Sequence, residues 1–270
     1  MFEHITNHRE GFGVGYTTIT DHTDASEPTG IGVAVWRFKA GESTSVLFEN
    51  ECAWLLMDGS VSIAVDGEAF KWSRTSLFDE HPSCVHGAKG VQLEVTADTD
   101  AEFTIYQCDN EAKFPTEVYQ PDAGVDEPRG KGQVGGTCLR FVRTIFDDTN
   151  SSPDAQLVLG EVITMPGKWS SYPPHHHAQP EIYHYRFTDP RGWGHGELED
   201  DVLKIRPYDS VRIMDKKTHA QVAAPGYGMY YAWVIRHLPD SRYGIPHFVE
   251  EHAWTMDADA EFWQPKGVKL

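Results

Sequence analysis

Gly167 to Phe187 reads GKWSSYPPHHHAQPEIYHYRF, and this stretch decides both the fold and the place to look for chemistry. Pro173 and Pro174 disfavour helix and hold the chain extended as it enters three consecutive histidines. In an extended strand side chains i and i+2 share a face, so His175 and His177 aim at one point while His176 faces away. Ala178-Gln179-Pro180 is enough to turn the chain. Glu181 then opens EIYHYRF, which sets Glu181, Tyr183, Tyr185 and Phe187 on one face. Two imidazoles and a carboxylate make a site for a borderline-to-hard divalent metal. The competing reading is a proline-tethered loop with three solvated histidines. It fits poorly with a carboxylate on the core-facing side of an aromatic strand.

The same β pattern continues on both sides. Upstream, GIGVAVWRFKAG (residues 30–41) reads as a strand, and CAWLLMDGSVSIAVDGEAFKW (52–72) alternates strongly. Asp58-Gly59 and Asp66-Gly67 interrupt it with the dipeptides that tight hairpin turns favour. VQLEVTA and EFTIYQC follow, and no segment before Pro121 keeps a helical period over three turns. Residues 121–136, PDAGVDEPRGKGQVGG, are rich in Pro, Gly and charge and read as a linker or crossover. Beyond it come CLRFVRTIF, QLVLGEVIT, VLKIRPYDSVRIMD and GMYYAWVIR, then a partly irregular tail over residues 250–270. The expected fold class is all-β: two tandem β domains over residues 1–120 and 137–270, each closing into a barrel or jelly roll.

Composition narrows the partners. Lys+Arg 23 against Asp+Glu 41 gives a net charge of −18, which argues against nucleic acid. The cysteines at 52, 84, 108 and 138 lack CxxC spacing and read as free thiols in a reducing compartment. With no signal-like start and no apolar run long enough to span a bilayer, a cytoplasmic protein without a membrane partner is expected.

A further metal ligand should come from another strand. His219 opens one after the polar turn at 215–218, and beside His175-x-His177-x3-Glu181 it completes a set of four. These two elements, some forty residues apart, resemble the two motifs of the cupin superfamily. VRTIFDD, LVLGEVIT, GKWSSYPPHHH, EIYHYRF, APGYGMYYAWVI and EHAW, in that order, resemble the 5-deoxy-glucuronate isomerase family of inositol catabolism. Its relatives are the 4-deoxy-L-threo-5-hexosulose-uronate ketol-isomerases of pectin breakdown. The likeness is strongest from Val142 to Trp254 and weaker over GVAVWRFKAGE.

The resemblance implies a bicupin whose C-terminal barrel holds one divalent metal, usually zinc, with Mn or Fe also compatible. It implies a first barrel without metal-binding histidines. STSVLFENE (43–51) indeed has no HxH, and His81 and His86 read as structural or surface residues. Three departures from the family pattern stand out: a short link between His177 and Glu181, His184 in place of the usual tyrosine, and an abbreviated GWGHGELEDD. The implied activity is a metal-dependent aldose–ketose isomerisation of a small anionic sugar, 5-deoxy-D-glucuronate to 2-deoxy-5-keto-D-gluconate, by a homo-oligomer. On this reading Tyr183 and Tyr185 are the catalytic candidates, with packing the plainer role for Tyr183. Arg186, His252 and Trp254 are assigned to substrate, and Arg206, Arg212 and Arg236 compete for its carboxylate. The alternatives are the 4-deoxy-L-threo-5-hexosulose-uronate isomerase, an iron-dependent cupin dioxygenase, and a non-catalytic sugar-binding cupin.

Overall fold

Antiparallel strands dominate the computed structural model, which describes residues 3–267. Met1, Phe2 and residues 268–270, the outer ends of the two expected domains and the last of the tail, lie outside the described residues. The first set of strands forms a sheet ordered Glu117–Tyr119, Cys84–Gly87, Glu51–Val65, Ala101–Cys108, Gly32–Phe38 and Gly15–Thr20. The fifteen-residue strand Glu51–Val65 runs on into a second layer, where it pairs with Glu68–Arg74 and Gln92–Ala97. Phe38, Trp54, Leu56, Val61, Ile63, Trp72 and Phe103 fill the space between the layers.

That long strand corrects one expectation. Asp66-Gly67 is the hairpin turn, with φ of 51° and 83°, but Asp58-Gly59 lies within the strand at a shift of register. Gly59 has φ +97°, and a Cβ there would stand 2.4 Å from the Asp100 carbonyl oxygen. Here the dipeptide makes a bulge that lets one strand serve two layers.

The second set begins with a seven-stranded sheet: His4–Ile5, Ser210–Ile213, Glu181–Phe187, Met229–Arg236, Leu157–Thr164, Arg140–Phe146 and Glu127–Arg129. Opposite lie Asp201–Ile205, Gly194–Leu198, His219–Ala223, Trp169–His176 and His247–Phe248. Val142, Val162, Tyr185, Leu198, Ile205 and Tyr231 pack in this barrel. Its membership departs from the expected boundaries at two places. Glu127–Arg129, inside the expected crossover, is an edge strand paired with Arg140–Phe146. His4–Ile5 belongs here too, held by Asp209, which accepts from His4 Nε2 at 2.8 Å and Arg9 Nε at 2.7 Å. Neither short strand carries the apolar alternation that would have betrayed it. The tail contributes a 3-10 segment, Glu250–Met256.

The large sheets of the two barrels pack face to face. Ile31, Val33, Leu55 and Tyr106 meet Phe146, Leu159, Ile182, Tyr230 and Val234 in one shared core. Buried polar ties cross it. Arg74 donates to both oxygens of Glu161 at 2.7 and 2.8 Å, and Glu161 also accepts from the Tyr230 hydroxyl at 2.7 Å. Glu51 accepts from His86 at 2.8 Å and from the backbone N–H groups of Gln156 and Leu157 at 2.8 and 2.9 Å. His86 is thus a buried structural residue stacked on Phe146, while His81 sits half-exposed beside Pro121. All four cysteines are buried and free, and among the described residues no helix is long and apolar enough to cross a membrane.

Candidate metal centre

Strand alternation carries the site. Along Glu181–Phe187, Ile182 joins the core shared with the first barrel, so Glu181 and Tyr183 point into the second. On the opposite layer, His219 pairs directly with His175, their rings 4.3 Å apart. The Trp169–His176 strand is irregular between Ser170 and His175. Ser171 takes φ +50° there, and its carbonyl accepts from His175 Nδ1 at 3.2 Å.

The ligand atoms of His177, Glu181 and His219 all lie within 4.8 Å of one another. His177 Nε2 is 3.2 Å and His219 Nε2 3.5 Å from Glu181 Oε2. Their Nδ1 atoms donate to backbone carbonyls, of Gln179 at 2.9 Å and of Lys217 at 3.1 Å. Those bonds fix each ring and turn its Nε2 toward the carboxylate, the outer-sphere arrangement of metal-ligating histidines. His219 Nε2 is the decisive atom: buried, with no hydrogen-bond partner among the described residues. A buried lone pair aimed at a carboxylate and another imidazole fits a divalent cation. His175 stands beside this trio and outside the set of three.

Electrostatics agree with a cation site. Burial, then the neighbouring His175 and His177, holds His219 well below the usual histidine range. Burial, then His177, lowers His175 to about 4. Both imidazoles are neutral at physiological pH and ready to ligate. Burial opposes charge on His177, but its hydrogen bond to Glu181 and that carboxylate's charge outweigh this and raise its pKa. Glu181 is also raised, by burial against the pull of His177. A carboxylate buried this deeply, with one imidazole as its hydrogen-bonded counter-charge, gains from a cation in the same space.

A cavity of about 80 Å³ opens beside the trio. Glu181, His175, Tyr183, Tyr231, Trp233, Tyr243 and Phe248 line it, together with Arg129 and Arg140. The Tyr183 and Tyr231 hydroxyls both meet Ser171 Oγ, at 3.2 and 3.0 Å. Gly160 lies across from Trp233, and a Cβ there would come 2.3 Å from its indole, so glycine lets the ring lie flat.

A sequence profile of the KduI/IolB family matches residues 4–255. The chain belongs to that family. It is 29% identical to the 5-deoxy-glucuronate isomerase of Lacticaseibacillus casei over 243 residues, 83% of this chain and 87% of the relative. The crystal structure of an IolB-like protein from Salmonella typhimurium superposes with a TM-score of 0.79 at 25% identity, covering 91% of this chain and 97% of that one. A cupin barrel protein from Leptotrichia buccalis, 11% identical, matches with a TM-score of 0.50 over 83% of this chain and 89% of its own, a likeness of fold alone. This KduI/IolB chain is therefore an isomerase-family enzyme built as a bicupin.

Other residues singled out in the sequence lie away from this cavity. Tyr185 is fully buried, and its hydroxyl donates to Gln221 at 2.9 Å, one layer deeper in the barrel. Relative to the sequence reading the two tyrosines exchange places: Tyr183 meets the cavity and Tyr185 packs. Arg186 alternates to the far face, donates to Glu102 of the first barrel at 2.7 Å and lies 4.5 Å over the Tyr208 ring. It fastens the two barrels and is corrected out of the substrate set. Arg186→Met should cost roughly 2 kcal/mol of stability. KM for the substrate should stay unchanged, measured by thermal melts beside steady-state kinetics. His252 and Trp254 border a different, outer cleft with Trp169, Tyr172 and Glu197, so they too leave the substrate set. Arg212 is committed to Glu27, Arg236 lines another hollow beside Gly30, and Arg206 borders a third. Sequence reasoning missed Arg129 and Arg140, one hidden in an apparent linker and the other in an ordinary-looking strand.

Proposed function

We propose that this enzyme is a metal-dependent ketol-isomerase acting on 5-deoxy-D-glucuronate, giving 2-deoxy-5-keto-D-gluconate in inositol catabolism. The observation that carries the reading is the buried, unpartnered His219 Nε2 facing His177 and Glu181, the last of which also lines a cavity with two arginines. The family relationship supports the reaction class. His177, Glu181 and His219 would hold the ion, with His175 adjoining. The nitrogen–oxygen donor set suits zinc first, and manganese or iron as well. Bound there, the metal supplies Lewis-acid polarisation of a carbonyl and the neighbouring hydroxyl.

The chain's own groups do the rest. Burial, then the Glu181 charge, pushes the Tyr183 hydroxyl well above its ordinary range. It therefore stays a phenol at neutral pH, a hydrogen-bond donor to a substrate oxygen and not a base. Ser171 fixes its direction, and the aromatic walls from Tyr231, Trp233 and Phe248 limit water around the reacting carbons. We place the enzyme in the cytoplasm, where four buried free thiols stay reduced, and as a homo-oligomer.

Following metal-loaded protein with 5-deoxy-glucuronate by NMR tests the assignment. Conversion to the ketose supports it, and no conversion at full metal occupancy rejects this substrate. Oxygen uptake with bound iron would point instead to a cupin dioxygenase. Tyr183→Phe should slow turnover roughly 100-fold. Tyr185→Phe should leave it at the wild-type rate while costing about 1 kcal/mol of stability. Equal kinetic losses in the two variants would remove Tyr183 from its role.

A further inference from the structure

Arg129 and Arg140 face each other across neighbouring antiparallel strands, as direct register partners. Both line the cavity that holds Glu181, His175 and Tyr183. Like charges directly opposite on one face of a sheet repel and weaken the pairing. Arg129 has Glu127, two residues away and exposed, at 2.8 Å. Arg140 has no carboxylate partner among the described residues. Its one hydrogen bond runs from Nη1 to the Cys138 carbonyl oxygen at 3.1 Å. Of five guanidinium N–H donors most are left for something else.

The backbone is shaped around that guanidinium. Gly130 sits at φ +72°, and a Cβ there would come 2.2 Å from the Cys138 carbonyl oxygen and 2.8 Å from Arg140 Nη1. Glycine thus lets the turn after Arg129 close over Arg140 while both side chains remain at the cavity. Burial, with Arg129 adding to it, makes charge on Arg140 harder to carry. This chain is strongly acidic overall, so two adjoining arginines in a polar-aromatic cavity are a local reversal of its field.

Resting on the acid-sugar reading above, we infer that Arg129 and Arg140 form a clamp for the substrate's carboxylate, so that acid sugars are selected over neutral ones at this wall of the cavity. A planar guanidinium offers a carboxylate two parallel N–H bonds, and the second arginine relieves its own repulsion when the anion arrives. The anion restores the balance that the empty register pair lacks. Arg140 is the specificity residue and Arg129, at the exposed edge, the outer arm.

The test compares wild type with Arg140→Met, Arg140→Lys and Arg129→Met, each checked for metal content and circular dichroism. Calorimetry with D-glucuronate and D-glucose reads the clamp directly, without turnover. Wild type should bind glucuronate more tightly, and Arg140→Met should lose roughly 10- to 100-fold of that affinity while binding glucose unchanged. Arg129→Met, at an exposed position, should lose less, and Arg140→Lys should recover part of the preference. In kinetics, Arg140→Met should raise KM for 5-deoxy-glucuronate and spare turnover of 5-deoxy-glucose, its primary-alcohol counterpart. Equal affinity of wild type for glucuronate and glucose overturns the clamp, as does a parallel loss for both sugars in the variants. Failure of wild type to isomerise either 5-deoxy sugar would instead reject the proposed reaction, leaving the calorimetric comparison to decide the clamp.

Discussion

His219→Ala is expected to strip the metal from the protein and abolish isomerisation, with the fold retained. His219 is wholly buried, its Nδ1 donates to Lys217, and its Nε2 faces Glu181 Oε2 at 3.5 Å without a hydrogen bond of its own. Removing it deletes one of the three converging donors. Loss of a mere outer-sphere partner typically costs 10- to 100-fold in affinity or activity, so loss of a ligand should exceed about 100-fold. Glu181→Gln should behave alike, because it removes the charge that compensates the ion. His176→Ala is the control: its ring stacks on His247 at 5.6 Å, on the other side of the strand. Elemental analysis and NMR turnover on the same samples check this. Metal retained at full stoichiometry in His219→Ala would dissolve the centre described above.

Arg74→Met should be the most damaging change to stability. Arg74 and Glu161 are almost wholly buried, come from different barrels and make two short parallel bonds. Methionine keeps much of the side-chain volume but strands the Glu161 carboxylate with only the Tyr230 hydroxyl at short range, and Arg143 3.7 Å away. Breaking one half of such a pair costs about 3–5 kcal/mol. For a chain of this size that is a fall in Tm of roughly 6–20 °C. The double variant Arg74→Met/Glu161→Leu should recover most of it, since it leaves no uncompensated charge. A single variant that melts with wild type, or a double variant no better than the single, would show that the pair does not hold the barrels together.

Period-two alternation made much of the second barrel readable. It placed Glu181 and Tyr183 on one face and Arg186 on the other, and the structure keeps that division. Alternation says which face, but not how deep. Tyr183 and Tyr185 are equivalent by that rule, and only the opposing strand, with Gln221 under Tyr185, separates them. The same limit hid the arginines. Arg140 reads as any polar residue of a half-buried strand until Glu127–Arg129 is seen to pair with it. That pairing is a long-range fact with no local signature, since Glu-Pro-Arg has no β propensity to speak of. Asp58-Gly59 failed for a kindred reason: a dipeptide that accepts positive φ serves a bulge as readily as a turn.

Ile182, Tyr230, Ala232 and Val234 rest against the first barrel, while Glu181, Tyr183, Tyr231 and Trp233, their sequence neighbours, look into the reaction space. The half that contributes none of the three converging donors is therefore the mould in which the other half is cast. Cut free of it, residues 127–270 would present a bare greasy sheet to water and clump before they could catalyse. Gene fragments encoding the metal motifs alone should yield aggregate, and substitutions at Leu55 or Tyr106 should register in turnover without touching a sugar.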